Sequence, residues 1–491
     1  MAHQIAQISC WVDVDQPEGS NPPGFSVNAS PGDKASRRNS QQFIDFPLFV
    51  GKVVSVGRDH HENDISINHP YISRKHLVIY SVVYDPEDTQ NQPPLLYVRD
   101  CQSLGGTYVD EKCIGKRENG ISSGFYLSRD VVITIKPYWK FRVSLLQDTE
   151  FKTPLTAIQL KESSLFSDRY IITNRVLGSG AYASVHLAVD AKTGKQLACK
   201  IHDFDRLRRF PHAQDLIRHV IHETDLLGKL RHYNLPTFEY AFRSKHSLYT
   251  FSELATGGDL FSMRAVHGAF LEKNCKFIIQ QIVNAVRYLH KGSVAHRDLK
   301  PENIFFATGP DIKSRVIVGD LGFARSTASG RMASRVGTNE YMAPEIELSY
   351  VHDIAVDMWS LGMIALFLLI PVGKFAPSSR VRVSQVAIDQ WLNIVFEDLP
   401  HQRLSTPCRD FIRSCLMFEP ESRLKAAEAK RHPWFRQEPD RGEFKVLVQE
   451  TVEGSETVVL ATRPPQRGQI REGTNALIQA RRITKSLVTL P

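Results

Sequence analysis

The sequence lacks the cysteine patterns of disulfide-bonded and zinc-binding proteins. Seven cysteines are scattered along 491 residues, and no two of them have C-x-x-C spacing. Their odd number and wide separation are typical of a reducing compartment. They are Cys10, Cys101, Cys113, Cys199, Cys275, Cys408 and Cys415. The sequence therefore gives no support for a disulfide framework, a zinc site or a thioredoxin-like site.

Long hydrophobic segments are also missing. The longest apolar run, from Met363 to Val372, contains Pro371 and is shorter than the roughly 20 residues that cross a bilayer. It predicts a buried core helix instead. The opening MAHQIAQISC lacks the charged and then apolar arrangement of a secretory signal. We expect a soluble, intracellular protein without membrane association.

A strong excess of charge of one sign is absent as well. The net charge of +8 is small for this length, and the basic residues form no single long run. A dedicated nucleic-acid-binding function is therefore not indicated, and direct DNA binding through the basic tail is not expected. The apolar fraction of 42% is typical of globular proteins.

Changes in composition divide the chain into five regions and predict a multidomain protein. Residues 15–42 are rich in Pro, Gly, Ser and Asn and poor in large apolar groups, and a disordered N-terminal segment is predicted over 1–45. Short β-rich runs between turn residues predict an all-β sandwich over 46–146. A linker or ordered connector at 147–169 precedes an α+β region at 170–435, which has a small β-rich lobe and a larger helical lobe. Residues 436–491 are predicted to be a flexible basic tail.

A glycine-containing turn follows the first strand of the α+β region. Glycines let backbone N–H groups approach phosphate oxygens, although such turns are common. The predicted nucleotide-binding residues of this turn are Leu177, Gly178, Ser179, Gly180, Ala181, Tyr182, Ala183 and Val185. Lys200, in the next apolar run, can reach the α and β phosphates, and Glu223 in a helical stretch is its natural partner. Either residue alone would be an ordinary surface charge.

The strongest signal is HRDLKPEN, which runs from His296 to Asn303. It is followed by DLG at Asp320 and APE at Ala343, in the order and spacing of the protein kinase signature. Over 170–435 the chain therefore resembles the eukaryotic protein kinase family, and the closing HPWF resembles the calcium/calmodulin-kinase-like group. The resemblance implies a bilobal protein kinase fold and ATP-dependent serine/threonine kinase activity.

The resemblance also implies roles for charged residues of this segment. Phosphoryl transfer needs charge neutralisation and in-line positioning more than covalent help. Asp298 would orient the substrate hydroxyl and accept its proton, and Lys300 would stabilise the transferring phosphoryl group. Asn303 and Asp320 would supply the oxygen ligands that Mg²⁺ requires.

Two departures from the family pattern raise an alternative. Ala183 replaces the third loop glycine, and Leu321 replaces the usual phenylalanine. The alternative is a catalytically weak scaffold that binds phosphoproteins. The active enzyme is favoured, because every charge that the mechanism requires is present. By resemblance, Glu345 should form a structural salt bridge with Arg423.

The resemblance extends to nucleotide and substrate recognition. Backbone groups at Glu253 and Ala255 would bind adenine, and Asp259 would lie near the ribose. In basophilic relatives, acids matching Asp259 and Glu302 also receive an arginine three residues before the phosphorylated site. This predicts protein substrates with Arg-x-x-Ser/Thr sites, unless both acids are only solvated or bind ribose alone.

The activation segment contains candidate sites of the same kind. Ser334 follows Arg331 at this spacing, which makes it a candidate for autophosphorylation in trans. Its phosphate could pair with Arg297 and order the segment. Thr338 is expected to contact Asp298 as part of the substrate platform.

A second resemblance lies in the β-rich region. Gly57-Arg58, Ser73-Arg74 and Gly106-Thr107 stand in the order of the forkhead-associated (FHA) family, a β-sandwich whose loops bind phosphothreonine. Arg58 and Arg74 would supply charge, and the Ser73 hydroxyl would donate to phosphate. His76 would brace the loops.

The FHA match is also imperfect. Gly105 stands where the family usually has an asparagine that holds the peptide backbone, and Leu104 stands where a polar residue is common. Reduced affinity for phosphopeptides or relaxed peptide selectivity would follow. The alternative is a sandwich kept for dimer or intramolecular contacts.

An FHA domain before a basophilic kinase is the layout of the checkpoint kinase 2 family and its meiotic relatives. This layout implies a role in DNA-damage or recombination signalling, phosphothreonine-bearing partners and a transient homodimer. Ser40-Gln41 is a candidate site for an upstream kinase, and Ser40 also follows Arg37 at the spacing expected for autophosphorylation, so both alternatives stay open. Basic clusters at 34–38 and 481–482 could assist nuclear import, although such clusters are usually only solvated. We expect a nuclear location, with the cytoplasm as the alternative.

Overall fold

The chain folds into two compact units. A computed structural model describes residues 4–12, 25–27, 36–38, 43–82, 94–120, 122–146, 155–179, 183–309, 311–321, 325–326, 340–348, 354–371, 384–397, 404–436 and 470–473. The first unit is Met1–Thr153 with two short later segments, Leu254–Gly258 and Phe306–Ser314. The second unit is Pro154–Glu253, Asp259–Phe305 and Arg315–Pro491.

The first unit is a β-sandwich, which confirms the predicted fold class. Its strands are β1 (Gln4–Val12), β2 (Phe25–Val27), β3 (Ser36–Arg38), β4 (Phe43–Phe49), β5 (Val53–Gly57), β6 (Ile65–Ile67), β7 (Leu77–Val82), β8 (Leu95–Asp100), β9 (Thr107–Val109), β10 (Lys112–Gly115), β11 (Phe125–Tyr126), β12 (Val131–Ile135) and β13 (Trp139–Leu145). The larger sheet has the order β10-β9-β12-β13-β1-β4-β3, and the smaller sheet has the order β11-β8-β7-β5-β6-β2.

The sandwich core follows from a two-residue period. In β13, Trp139, Phe141 and Val143 are fully buried, whereas Arg142 between them is exposed. Alternate side chains of a strand point to opposite faces of the sheet, so one face meets the opposing sheet. Burial of these rings and branched chains is the main force that holds the two sheets together.

The sandwich begins earlier than the sequence predicts. Strand β1 lies within the region predicted to be disordered, and it pairs with both β13 and β4. Its Ile8 and Cys10 are fully buried, with the less buried Ser9 between them. The alternation is short and is interrupted by a register shift near Gln4, which is why composition alone does not reveal it.

The second unit combines a sheet with a larger helical part. Its strands are β14 (Tyr170–Ser179), β15 (Ala183–Asp190), β16 (Gln196–Asp203), β17 (Phe238–Ser244), β18 (Ser247–Glu253), β19 (Val294–Ala295), β20 (Ile304–Phe306), β21 (Val316–Val318), β22 (Arg325–Ser326) and β23 (Ile470–Gly473). Its helices are α1 (Ala157–Ser163), α2 (Phe204–Leu207), α3 (Ala213–Lys229), α4 (Leu260–His267), α5 (Glu272–Lys291), α6 (Pro344–Leu348), α7 (Ala355–Leu369), α8 (Gln385–Glu397), α9 (Thr406–Cys415), α10 (Ala426–Ala429) and α11 (Pro433–Arg436).

Apolar patterning explains the helical part. Helix α7 contains most of the longest apolar run and is buried on nearly all sides, which confirms the predicted core helix. Helix α5 buries only one stripe, which includes Ile278, Ile282 and Leu289. None of the helices within the described ranges is long and apolar enough to cross a membrane.

The segment predicted to be a linker contains a capped helix. Thr156 accepts from the Gln159 N–H, and the Gln159 side chain accepts from the Thr156 N–H, which forms a capping box at the start of α1. Glu162 accepts hydrogen bonds from Ser244 and, at 2.8 Å, from the Tyr249 hydroxyl. These bonds hold the helix against the sheet of the second unit.

The sheet of the second unit has the order β14-β15-β16-β18-β17-β23. Its first five strands are antiparallel, whereas β23 pairs in parallel with the edge strand β17. Most of the predicted flexible tail lies outside the described residues, but β23 belongs to it. The tail therefore contributes a strand at this edge.

Candidate functional site

An ion cluster lies beside the central strand of the sheet in the second unit, with Glu223 nearly buried, Lys200 half-buried and Asp320 exposed. Strand β16 presents Lys200, whose Nζ lies 2.9 Å from Glu223 Oε1 and 3.0 Å from Asp320 Oδ1. Burial alone would lower the pKa of Lys200, but the two carboxylates outweigh it and raise this pKa above its ordinary value. Lys200 is therefore held as a cation between two acids.

Helix α3 carries Glu223 to this cluster. Val220 and Leu227 on the same stripe are buried, which fixes the rotation of the helix about its axis. The next residue, Thr224, hydrogen-bonds through its hydroxyl to Thr250 of β18 at 3.1 Å. This bond ties α3 to the sheet beside the Lys200–Glu223 pair.

The predicted catalytic aspartate lies in a separate cluster. Asp298 Oδ2 accepts from Asn303 Nδ2 at 2.9 Å and lies 3.1 Å from Lys300 Nζ. Asn303 Nδ2 also donates to the Asp298 carbonyl at 2.7 Å. Asp298 is almost fully buried, so its carboxylate is fixed by charge and hydrogen bonding.

The loop that contains Asp298 is anchored by a residue to which the sequence analysis gave no role. Asp357 of α7 is fully buried and accepts at 2.8 Å from three donors: the backbone N–H groups of His296 and Arg297, and the His290 ring. Burial would raise the pKa of Asp357, but the bond and charge of His290 and the other donors lower it. Arg297 takes a left-handed φ of 70°, a strained conformation that these bonds maintain. The sequence motif DMWSLG, which begins at Asp357, was the signal that could have identified this residue.

Asp320 follows strand β21 at a turn. It has a left-handed φ of 52°, and the preceding Gly319 N–H donates to the Asn303 carbonyl at 2.8 Å. The His296 ring also bonds to the Gly319 carbonyl at 2.9 Å. Leu321, the departure from the family pattern, is buried. The turn thus links the loop of Asp298 to the carboxylate of Asp320.

Asn303 and Asp320 fit the ligand chemistry of a magnesium ion. The amide nitrogen of Asn303 is engaged by Asp298, which leaves its amide oxygen as the atom suited to a hard cation. Asp320 adds carboxylate oxygens. Within the described ranges, no group of three or more His, Cys, Asp and Glu side chains could hold a metal ion.

The structure describes part of the predicted nucleotide-binding turn. Leu177 and Gly178 lie near the end of β14, Ala183 and Val185 lie in β15, and Gly178 pairs with Val185. A Cβ atom at Gly178 would have no neighbour within 4 Å, so internal packing does not require glycine there. For Ser179 only the backbone is described, and Gly180, Ala181 and Tyr182 lie outside the described residues, as do Ser40, Ser334 and Thr338.

The predicted adenine-binding residues lie at and just after the end of β18. Glu253 ends β18, its carboxylate accepts from the Thr237 N–H at 2.8 Å, and it pairs with Arg315. The side chain of Glu253 is thus held by neighbours. Ala255 is half-buried in the following segment, which belongs to the first unit.

Asp259 has a structural role that the sequence analysis missed. Its Oδ1 accepts from the Ser262 N–H at 2.7 Å, and its Oδ2 accepts from the Ser262 hydroxyl at 3.0 Å, so it caps helix α4. Burial, reinforced by the charge of Glu302, raises the pKa of Asp259 to about 6. Burial also raises the pKa of Glu302. The aspartate followed three residues later by serine was the signal for this cap.

The predicted salt bridge between Glu345 and Arg423 is confirmed. The guanidinium of Arg423 makes two contacts with the carboxylate of Glu345, at 2.6 and 3.0 Å. The Arg423 side chain is fully buried, and it also donates to the Met417 and Ala355 carbonyls. This bidentate pair is a fixed structural connection.

The loops of the sandwich bring the predicted phosphopeptide residues together. The Arg58 N–H donates to the Ser73 carbonyl at 2.9 Å, and the Ser73 hydroxyl accepts from the Leu104 N–H at 3.1 Å. His76 is fully buried, and its ring bonds to the Ser73 N–H and the Gly106 carbonyl, as expected of a brace.

Arg58 and Arg74 differ in their surroundings. Arg58 is exposed, whereas Arg74 Nη2 lies 3.1 Å from Asp59 and 3.4 Å from Glu62. The charge of Arg74 is thus partly balanced within the protein, although exposed pairs of this kind are weak. A Cβ atom at Gly105 would meet nothing closer than 3.6 Å, so a side chain fits there.

Comparison with known proteins agrees with this geometry. The protein kinase domain family model matches residues 171–435, and the FHA domain model matches residues 54–127. The lysine–glutamate pair and the Asp298 cluster are the parts of a phosphoryl-transfer enzyme. The chain belongs to the serine/threonine protein kinase family and carries an FHA domain before its kinase domain.

Three relatives show the extent of the similarity. The meiosis-specific serine/threonine-protein kinase mek1 of Schizosaccharomyces pombe is 32% identical over 402 residues, which are 79% of this chain and 82% of mek1. The calcium/calmodulin-dependent protein kinase type I of the same organism is 34% identical over 265 residues, which are 53% of this chain and 76% of that kinase. The probable serine/threonine-protein kinase fhkC of Dictyostelium discoideum is 29% identical over 388 residues, 78% of this chain and 61% of fhkC.

A solved structure also matches much of the chain. The crystal structure of Rad53 1-466 in complex with AMP-PNP is 25% identical and covers 88% of this chain and all of that chain, with a TM-score of 0.44.

Proposed function

We propose that this kinase acts in DNA-damage or meiotic-recombination checkpoint signalling, phosphorylates Arg-x-x-Ser/Thr sites and is recruited and activated through its FHA domain. The observation that carries the catalytic part is the fixed carboxylate of Asp298 between Lys300 and Asn303. The similarity to mek1, over most of both chains, supports the signalling role. The basic clusters at 34–38 and 481–482 support a nuclear location.

The geometry suggests how the phosphoryl group moves. Oδ2 of Asp298 is occupied by Lys300 and Asn303, which leaves Oδ1 to orient the substrate hydroxyl and to take its proton. The hydroxyl oxygen forms a bond to the γ-phosphorus of ATP while the bond to the β-bridging oxygen breaks and ADP leaves. Lys300, close to the same carboxylate, balances the charge on the transferring group.

The remaining residues hold the nucleotide. Lys200, kept cationic by Glu223 and Asp320, binds the α and β phosphates, and backbone groups near Glu253 and Ala255 bind adenine. The open space at Gly178 supports close approach of the chain to phosphate. Mg²⁺ held by Asn303 and Asp320 would neutralise charge on the phosphates when it is bound.

Transfer of labelled phosphate from ATP to an Arg-x-x-Ser peptide tests this catalytic proposal. Wild-type protein should label the peptide, and Asp298→Asn should abolish labelling while leaving the fold intact. Equal labelling by both proteins would overturn the assignment of Asp298. Absence of labelling by a purified wild type that binds ATP would favour the scaffold alternative.

The proposed preference for arginine rests on two acids, the buried Asp259 and the half-buried Glu302. Burial raises the pKa of both acids, and the charge of Glu302 also raises that of Asp259. The charged forms of these carboxyl groups are therefore disfavoured, and a cationic side chain that reaches them would stabilise those forms. The cap made by Asp259 keeps its carboxylate in place. A peptide array should show selection for arginine at the third position before the phosphorylated residue. Glu302→Gln should weaken that selection, and an array without selection would refute it.

The FHA domain is proposed to bind phosphothreonine through Arg58, Ser73 and Arg74. Ser73 accepts from Leu104, which leaves its hydroxyl proton for a phosphate oxygen. Binding to a phosphorylated segment of another chain would raise the local concentration for phosphorylation of Ser334 in trans. A transient dimer that appears only after phosphorylation and is lost in Arg58→Ala would support this sequence of events. A phosphorylation-independent dimer would oppose it.

A further inference from the structure

The outer face of the smaller sandwich sheet is unexpectedly buried. Alternation in β7 directs Leu77 and Ile79 into the sandwich core and Tyr80 to the opposite face. That face of an antiparallel sheet is commonly solvated. Tyr80 is nevertheless fully buried, as is Tyr97 of β8, and their rings stack with centroids 5.6 Å apart.

Two later segments of the chain, 254–258 and 306–309, belong to the same unit and cover this face. The Tyr80 hydroxyl donates to the Thr256 carbonyl at 3.0 Å and accepts from the Gly309 N–H at 3.3 Å. The Gly124 N–H, next to β11, donates to the Thr256 hydroxyl oxygen at 2.9 Å. Burial raises the pKa of Tyr80 to about 12, so its phenol stays protonated at neutral pH.

Glycines on both sides make the contact tight. A Cβ atom at Gly124 would lie 2.2 Å from the Tyr80 hydroxyl, and one at Gly309 would lie 2.5 Å from the Tyr80 ring. Gly258 has a left-handed φ of 78°, and a Cβ atom there would lie 2.8 Å from Val82. Close packing of this kind, combined with satisfied hydrogen bonds, is typical of a specific interface.

We infer that the outer sheet face around Tyr80 is a docking surface for residues 254–258 and 306–309 of the same chain, and that Tyr80 is a positioning residue for the adenine-binding segment. Thr256 directly follows Ala255, so fixing its carbonyl and hydroxyl restricts the backbone that contacts adenine. The Thr256 and Gly257 N–H groups also donate to the carbonyls of Ala307 and Phe306, which joins the two docked segments. The effect on ATP rests on the adenine contacts proposed above, whereas the docking itself does not.

Tyr80→Phe in the full-length protein tests this inference, because it removes the hydroxyl and keeps the ring. Amide hydrogen exchange in 254–258 and 306–309 should become at least about tenfold faster. The KM for ATP should rise about threefold or more with a smaller change in kcat, and phosphopeptide affinity should stay unchanged. Tyr108→Phe, in β9 of the other sheet, is the matched control and should change none of these values.

Gly124→Ala provides a second test, because its methyl group would push Tyr80 and Thr256 apart. It should reproduce the faster exchange, with phosphopeptide binding as the check that the sandwich is folded. Unchanged exchange in Tyr80→Phe would overturn the docking surface, even in an active kinase. Faster exchange with an unchanged KM for ATP would overturn the positioning role of Tyr80. A wild-type protein without kinase activity would contradict the proposed function. The hydrogen-exchange result would then still test whether the two segments dock on the sheet face.

Discussion

The two sites that are proposed to handle phosphate in this protein use opposite arrangements of charge. In the kinase domain, Lys200 and Asp298 are largely shielded from solvent and are fixed by partners within about 3 Å. In the FHA domain, Arg58 is exposed, and the loops are held mainly by backbone hydrogen bonds to Ser73 and its neighbours. Catalysis needs charges that are already in place and shielded from water. Reversible reading of a phosphate needs donors that a partner can reach.

The largest effect is expected from removal of the shielded catalytic charge. Asp298→Asn keeps the size of the side chain but cannot accept the substrate proton. The kcat for peptide phosphorylation should fall about a hundredfold to ten-thousandfold. Steady-state kinetics with labelled ATP measure this change, and a fall of less than threefold would show that Asp298 is not the base.

Arg423→Ala should give the next largest effect, on stability. Removing the arginine leaves Glu345 partly buried without its cation, which costs about 3–5 kcal/mol. Denaturant unfolding, followed through the transition of the kinase domain, measures this loss. The exposed Arg218→Ala is the matched control and should cost less than about 0.5 kcal/mol. Equal losses of unfolding free energy in both variants would mean that burial does not determine how much the ion pair contributes to stability.

Arg58→Ala tests the exposed side of the comparison. Loss of a charged hydrogen bond to phosphate should weaken binding of a phosphothreonine peptide about tenfold to a hundredfold. Wild-type binding should weaken as salt is raised, because the site is exposed. Arg129→Ala, on the same domain and similarly exposed, should bind like wild type. Salt-independent binding would contradict an exposed, charge-based site.

Asp259 links stability to pH. Its pKa of about 6 in the folded protein lies above the unfolded value of 3.8, so the unfolded chain loses this proton first as the pH rises. Wild type should therefore lose on the order of 1–3 kcal/mol between about pH 4 and 6 relative to Asp259→Asn, which retains a capping oxygen. Unfolding of both proteins across this range measures the difference. A gain in the stability of wild type relative to Asp259→Asn as the pH rises would contradict a raised pKa of Asp259.

Gly105→Asn should give the smallest effect, and it is a gain. The position has room for a side chain, and an asparagine could bond to the backbone of a bound peptide. Phosphopeptide affinity should rise about twofold to tenfold, as expected for one net hydrogen bond. Gly105→Ala is the control, because it adds a side chain without a donor and should give no gain. Equal gains in phosphopeptide affinity from both variants would indicate that any side chain at this position helps by making the loop backbone more rigid.

The motifs predicted much of the kinase site, because the residues that conduct phosphoryl transfer must be particular types in a particular order. Lys200 and Glu223 meet as expected, and so do Glu345 and Arg423. The β-sandwich also followed from short strands and turn residues, whereas the bilobal kinase fold followed from the resemblance of the motifs to the kinase family. The roles assigned to individual residues toward ATP, Mg²⁺ and phosphothreonine remain predictions.

Features that depend on tertiary contacts could not be predicted in the same way. Strand β1 is a weak pattern that becomes a strand because β13 and β4 supply partners on both sides. The two hydrogen bonds that Asp259 accepts from Ser262 compete with any ligand for the carboxylate oxygens of Asp259. The contact between Tyr80 and Thr256 joins residues far apart in sequence, and no local pattern marks it.

One paired measurement tests the central claim that this chain carries two chemically separate phosphate sites. Peptide phosphorylation and phosphothreonine-peptide binding are measured on wild type, Asp298→Asn and Arg58→Ala. We predict that Asp298→Asn loses phosphorylation and keeps binding, whereas Arg58→Ala loses binding and keeps phosphorylation of a free peptide. Loss of both activities in either variant, or of neither, would contradict the account.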